Sequence, residues 1–256
     1  MGNEPLLVGG AFLVGLAFGS FLNVCILRLP HDKSLVRPPS SCPRCGKRIA
    51  WRDNIPVVSW LLLRGKCRHC GEPISLQYPL IELLVGLLWA AAFFAWPPIH
   101  ALAGALLGTT LLGIGITDAR HYIIPDEFSL GGLGIGLALA VAGGGPALVQ
   151  ALIGAAAGFV LLYVVAVVGE WVFKEEAMGG GDIKMMAMVG AFVGWRGVLL
   201  TIFLGALIGT LVFVPLTVWK KKRHVPFGVF LAMGAAAAFI MGDALISWYL
   251  AFMRRI

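Results

Sequence analysis

The sequence predicts an all-α, polytopic membrane protein. About eight transmembrane helices are expected, with a small four-cysteine loop domain between the first and second. Three observations predict this. First, the chain has 256 residues, of which 59% are hydrophobic and only 13% charged, with a mean hydropathy of +0.89. That is more apolar side chain than a soluble domain can bury. Second, separate apolar runs approach or exceed the roughly 20 residues that span a bilayer as helix. They are rich in Leu, Ala and Gly and lack the alternation of a membrane barrel. Third, the cations are clustered. Half of the 20 Lys and Arg residues lie between Arg28 and Arg68, and four more form the run Lys220–Arg223. Basic loops between apolar spans are the positive-inside signature, so the net charge of +7 reflects orientation in a lipid bilayer rather than a nucleic-acid partner.

In chain order, the first span runs from Leu6 to Leu27. No cationic segment precedes it and no small-residue cleavage site follows, so it reads as a retained helix. The polar stretch from Arg28 to about Tyr78 is the only one long enough for its own small domain. The expected organisation is a first transmembrane helix (1–28), a cytoplasmic cysteine domain (29–78) and a transmembrane domain (79–256). Within the last, spans are read at Pro79–Trp96, Ile99–Thr117, Phe128–Ala142, Ala147–Phe173, Ile183–Trp195, Val198–Trp219 and Pro226–Phe252. The run Ile183–Trp195 is short for a crossing and suits a re-entrant or tilted half-span. "WPPIH" and "GGGP" are turn chemistry. No internal repeat is found. With the Arg28–Tyr78 loop inside, counting spans puts "DARHYIIPDE", "KEEAMGGGDIK" and the basic run "KKKRHV" inside as well. Arg254 and Arg255 fall outside, against the trend.

The polar loop contains Cys42-x2-Cys45 and Cys67-x2-Cys70, separated by 21 residues, with Gly after each pair. Four thiolates suit tetrahedral Zn²⁺, and the glycines let the backbone turn toward the metal. Four sulfur ligands leave no open position, so the metal reads as structural. The alternatives are two disulfides, which a cytoplasmic location disfavours, and a redox CxxC pair, which lacks its βαβ surroundings. Cys25 reads as a small apolar side chain of the first span.

Two aspartates stand at span ends on one predicted face: Asp118 closes the third span and Asp182 opens the sixth. Two carboxylates brought together at a low-dielectric boundary cannot both ionise cheaply. They share a proton and can act as acid and base on one water. Simpler readings stay open at this point. Asp118 also suits a solvated helix end, Asp182 an N-cap, and Asp126 and Glu127 the first turn of the fourth span. Glu82, one turn inside the second span, snorkels, caps or lines a site. Asn23 reads as an interhelical hydrogen-bonding group. Lys184 is read either as a partner for a substrate carboxylate or as a cation reaching the surface.

Taken together, "FGSFLNVCILRLP", the paired CxxC loop around "NIPVVSWLLLRGKC", "YPLIELL", "TDARHYIIPDEFS" and "GGGDIKMMAMVGAFVGW" resemble the bacterial prepilin peptidases (type IV leader peptidases) over nearly the whole chain. The resemblance implies a GxGD-type membrane aspartic protease, with Gly179, Gly181 and Asp182 in the motif and Asp118 and Asp182 catalytic. Cys42, Cys45, Cys67 and Cys70 match the family's zinc-binding cysteines. Lys184, Asp126 and Glu82 are candidate supporting residues. The implied activity is cleavage of the leader from prepilins or pseudopilins of type IV pilus and type II secretion systems, after a glycine, at the cytoplasmic face of the bacterial inner membrane. N-methylation of the new terminus with S-adenosylmethionine follows. That second activity rests on the resemblance alone, since no glycine-rich nucleotide fingerprint is present and no cofactor residues are assigned. The competing expectations are a presenilin-like protease without transferase activity and a non-enzymatic zinc-binding transporter or scaffold.

Overall fold

A computed structural model describes residues 5–175, 178–220 and 226–254, with backbone only from 213 to 220. The helices are α1 (Pro5–Arg28), α2 (Val58–Leu62), α3 (Gln77–Ala95), α4 (Pro98–His121), α5 (Asp126–Ala142), α6 (Gly145–Phe173), α7 (Gly180–Lys220) and α8 (Phe227–Met253). Among the described residues there is no strand, only isolated antiparallel bridges at Ser41–Arg48 and Lys66–Pro73. Among the described residues, six helices are long and apolar enough to cross a membrane: α1, α3, α4, α6, α7 and α8. The chain is thus a multi-pass membrane protein. The sequence count of eight differs at two places. Helix α5 has only 17 residues, and two expected spans lie within α7. The expected basic run at 221–223 and Arg255 lie outside the described residues.

The chain forms two compact units, Met1–Thr109 and Thr110–Ile256. In the first, α1 packs along α3. Phe18 of α1 stacks on Trp89 of α3, ring centroids 4.6 Å apart. The indole N–H of Trp89 donates to Thr109 Oγ1 at 3.0 Å, so the one polar atom of a buried aromatic is satisfied. Asn23 is 1% exposed, and its amide donates to the Tyr78 carbonyl at 3.1 Å. This is the interhelical bond expected of a polar residue in an apolar span. It ties the end of α1 to the start of α3.

The second unit is built around α7. Residue Gly194 interrupts it with φ 67° and ψ 176°, a left-handed conformation that favours glycine. The contacts show that the chain reverses there. Before the break, α7 packs on α6: a Cβ at Gly158 would strike the Met186 carbonyl, and one at Gly190 the Gly154 carbonyl. After the break it packs on α8: a Cβ at Gly234 would meet the Thr201 carbonyl oxygen at 2.5 Å, and one at Gly209 the Phe230 ring at 3.3 Å. Both the start of α7 and the start of α8 touch Ile124, through Gly181 and Gly228. With the start of α8 held against Gly209 through Phe230, a straight α7 would put these places about 42 Å apart at 1.5 Å per residue. The helix is therefore a hairpin. Its first arm, residues 180–193, rises about 21 Å, short of the roughly 30 Å hydrocarbon core. The short run expected at Ile183–Trp195 is this arm. The return arm corresponds to the span expected at Val198–Trp219.

Candidate active site and cysteine cluster

Asp118 lies in the last turn of α4 and is 6% exposed. The chain leaves α4 through Tyr122, whose φ of 56° turns it toward the short segment 123–125 that leads into α5. Asp118 Oδ2 accepts the backbone N–H of Val229 at 3.1 Å. That N–H belongs to the first turn of α8, where helical amides have no partner of their own and the dipole is positive. Gly228 is what permits the approach: a Cβ there would lie 2.9 Å from Asp118 Oδ2 and 2.8 Å from Ile124 Cδ1.

Asp182 lies in the first turn of α7, and its N–H donates to the Gly179 carbonyl at 3.2 Å. Its Oδ1 is buried without a hydrogen-bond partner among the described residues. Gly181 faces Ile124, where a Cβ would meet the isoleucine Cβ at 3.0 Å. Ile124 thus wedges between the starts of α7 and α8. The Asp182 carboxyl lies within reach of the charge of Asp118. Residues 64 positions apart in sequence are brought to one end of the second unit. Two carboxyls brought to one end of a helix bundle are able to divide the roles of acid and base, one holding a proton while the other accepts one.

The other acids separate. Asp126, in the first turn of α5, binds Lys184 Nζ through both carboxylate oxygens at 2.8 Å. The sequence offers Lys184 to a substrate or to the surface; the structure pairs it with Asp126, joining the starts of α5 and α7. Glu82 belongs to the first unit and is 7% exposed. Its Oε2 accepts the N–H of Val57 at 2.7 Å, just before α2. Val57 has φ 62°, a region that a β-branched residue enters only when held. Glu82 therefore caps: it fastens the cysteine loop to α3.

The four cysteines converge. All four Sγ atoms lie within 4.8 Å of one another, and Cys42 Sγ is 3.7 Å from Cys70 Sγ. The local folding is the same at both pairs. The Cys42 N–H donates to the Lys47 carbonyl and the Gly46 N–H to the Cys42 carbonyl. The Cys67 N–H likewise donates to Glu72, and the Gly71 N–H to Cys67. Gly46 at φ 67° and Gly71 at φ 72° close the two turns. Arg44 joins the knuckles through Glu72 at 2.7 Å, and Arg68 grips Asp53 at 2.6 Å. The hydrogen bond from Arg68 holds the Asp53 carboxyl below its usual range. Backbone N–H groups of Cys45 and Arg44 bring the Cys42 thiol down to about 7. At Cys70 the N–H of Glu72 acts the same way, but burial and the other thiols outweigh it and push that thiol up to about 12. Such a set sheds its first proton easily and its last with difficulty, unless a cation takes the place of the protons. It is able to hold a metal ion.

The sequence reading missed Val229, Gly228 and Ile124. A backbone N–H has no side-chain signature. The available signal was Pro226 just before α8, since proline favours helix starts.

Residues 13–96 match the Bacterial Peptidase A24 N-terminal domain, and residues 105–214 match the Type IV leader peptidase family. The chain is 36% identical over 271 residues to a prepilin leader peptidase/N-methyltransferase of Aeromonas hydrophila, covering 93% of this chain and 92% of that protein. The chain belongs to the type IV leader peptidase family. A relative of the same name from Pectobacterium carotovorum is 37% identical over 262 residues, covering 91% of this chain and 92% of its own. Another, from Myxococcus xanthus, is 46% identical over 211 residues, 81% of this chain; the match spans 62% of the Myxococcus protein's own length. No solved structure matches the chain. Within this leader peptidase the second family match contains Asp118 and Asp182, and the first contains all four clustered cysteines.

Proposed function

We propose that this leader peptidase cuts the leader from type IV prepilins or pseudopilins with Asp118 and Asp182, then N-methylates the new terminal residue. The observation that carries the reading is the convergence of the two carboxyls beside the exposed end of the second unit, with Asp118 oriented by the Val229 N–H. In the reaction, the ionised member takes a proton from a water as that water attacks the scissile carbonyl carbon. The protonated member donates its proton to the carbonyl oxygen. Collapse of the tetrahedral adduct re-forms the carbonyl and breaks the C–N bond: the aspartate that took the water's proton gives it to the leaving amine, and a hydroxyl proton of the adduct returns to the other carboxylate. Of the glycines of the GxGD motif, Gly179 leaves room beside Asp182 for an extended chain, while Gly181 gives its space to Ile124.

The metal is Zn²⁺. A tetrahedron with Zn–S near 2.3 Å requires sulfur separations of about 3.8 Å, and the cysteine set fits that spacing. Held by Cys42, Cys45, Cys67 and Cys70, the ion would fix the fold of the loop. S-adenosylmethionine would supply the methyl group; its residues are unassigned. The basic loop and the positive-inside rule support a cytoplasmic position for the cysteine domain (29–78) and for the active end of the transmembrane peptidase domain (79–256), in the bacterial inner membrane. The helix at 1–28 anchors the loop. The charge distribution supports no nucleic-acid partner.

The test uses purified enzyme, a prepilin substrate and S-adenosylmethionine, with mass spectrometry of the products. Asp118→Asn and Asp182→Asn should each reduce cleavage by roughly 10²–10⁴-fold, while methylation of a pre-cut substrate continues. Cleavage that survives either substitution sinks the dyad. Absence of any methyl transfer by wild type leaves a peptidase alone.

A further inference from the structure

A second polar site lies at the other end of the α7 hairpin. Residue Val229, beside Asp118, and Asp243 stand on the same helix about 21 Å apart along its axis. There the turn at Gly194 and the last turns of α8 enclose a cavity of about 430 Å³, lined by Gln150, Trp195, Arg196, Asp243 and Ser247 among others. A guanidinium and a carboxylate share one cavity, yet no ion pair within 4.0 Å joins them among the described residues. Arg196 instead packs over the Trp195 ring, 5.4 Å from its centroid. Trp248 and Tyr249 on α8 are exposed at the same level. Tryptophan and tyrosine in this position mark the headgroup region of a bilayer.

Opposite charges held apart in one cavity suit a ligand that carries both. We propose that this cavity binds a zwitterionic group made of a phosphodiester and a primary ammonium, as presented by an aminophospholipid headgroup. The guanidinium of Arg196 takes the phosphate, which it matches through paired N–H donors. The carboxylate of Asp243 takes the ammonium, and Gln150 and Ser247 supply neutral hydrogen bonds. No part of this site belongs to the peptidase dyad.

The test uses the full-length protein in a delipidating detergent, titrated with phosphatidylethanolamine, phosphatidylglycerol or phosphatidylcholine. Native mass spectrometry counts retained lipids, and lipid-free thermal unfolding checks each variant. Phosphatidylethanolamine should be retained preferentially over the other two. Asp243→Asn should abolish its preference over phosphatidylglycerol, and Arg196→Gln should weaken retention of both by roughly tenfold, the loss of one charged hydrogen-bonding group. Competition by soluble glycerophosphoethanolamine at matched concentration would identify the headgroup as sufficient; retention only of the intact lipid would add the acyl chains to the ligand. Equal retention of all three lipids by the wild type overturns the proposal, as does an Asp243→Asn protein that keeps its preference. The wild-type comparison stands even where a variant fails to fold.

Discussion

The tightest part of the proposed active site is Gly228, and replacing it by alanine tests the site without touching an ionisable group. The added methyl would lie 2.9 Å from Asp118 Oδ2 and 2.8 Å from Ile124 Cδ1. Both are inside ordinary contact distance, so something must move. The Ile124 tip can rotate, but Ile124 is also wedged against Gly181. The Asp118 carboxyl yields, and its 3.1 Å bond from Val229 is lost. A hydrogen bond to a charged group is worth about 1.5–3 kcal/mol. If that energy orients the carboxyl for water activation, kcat/KM for prepilin cleavage should fall about 10- to 150-fold at one decade per 1.36 kcal/mol. The assay is cleavage of a purified prepilin by the enzyme in detergent, with Tm measured alongside. Gly134→Ala, also in a helix but with nothing within 4 Å of the added methyl, is the control and should keep wild-type activity. A Gly228→Ala enzyme with unchanged kcat/KM would show that the Val229 bond does not orient Asp118.

Three further outcomes are expected. Gly158→Leu drives a side chain into the Met186 carbonyl on α7, so it should cost about 3 kcal/mol or more and lower the thermal midpoint in detergent sharply. Lys184→Met removes an exposed ion pair with Asp126 and should change stability by no more than about 1 kcal/mol, measured by denaturation at low and high salt. Elemental analysis should find one zinc per chain, lost in Cys67→Ser. A chelator competition should also show zinc affinity falling by about tenfold or more per pH unit on acidification. The sign follows from the thiols: Cys42 deprotonates at about 7 and Cys70 only at about 12, so protons compete for the ligands throughout that range.

The legible parts of this protein were those encoded within a few residues of themselves. Each CxxCG unit folds on its own backbone, and the same hydrogen bonds recur at Cys42 and Cys67, so spacing, together with the expected cytoplasmic location, pointed to four converging sulfurs. Apolar runs gave the helices, with ends shifted by a few residues; α4 continues past Thr117 to His121 because nothing in "TDARH" breaks a helix. The turn at Gly194 was visible as a break between the spans read at Ile183–Trp195 and Val198–Trp219, the first of them too short to cross. Asp118 and Asp182 could be named but not brought together, since their meeting depends on how α7 doubles back. For Glu82 capping was one of three readings, and the sequence could not choose among them: its partner is the amide of Val57, in a conformation that no propensity favours.

The contact between α6 and the first arm of α7 has a mechanical consequence. With Gly154, Gly158 and Gly190 at the crossing, the two backbones touch without side chains between them. Such a joint has no lever to rotate and no rotamer to exchange; the arm bearing Asp182 moves only if α6 moves with it. The carboxyl of Asp182 is thus anchored to α6 through a seam of backbone on backbone, and its position is set by two helices rather than one.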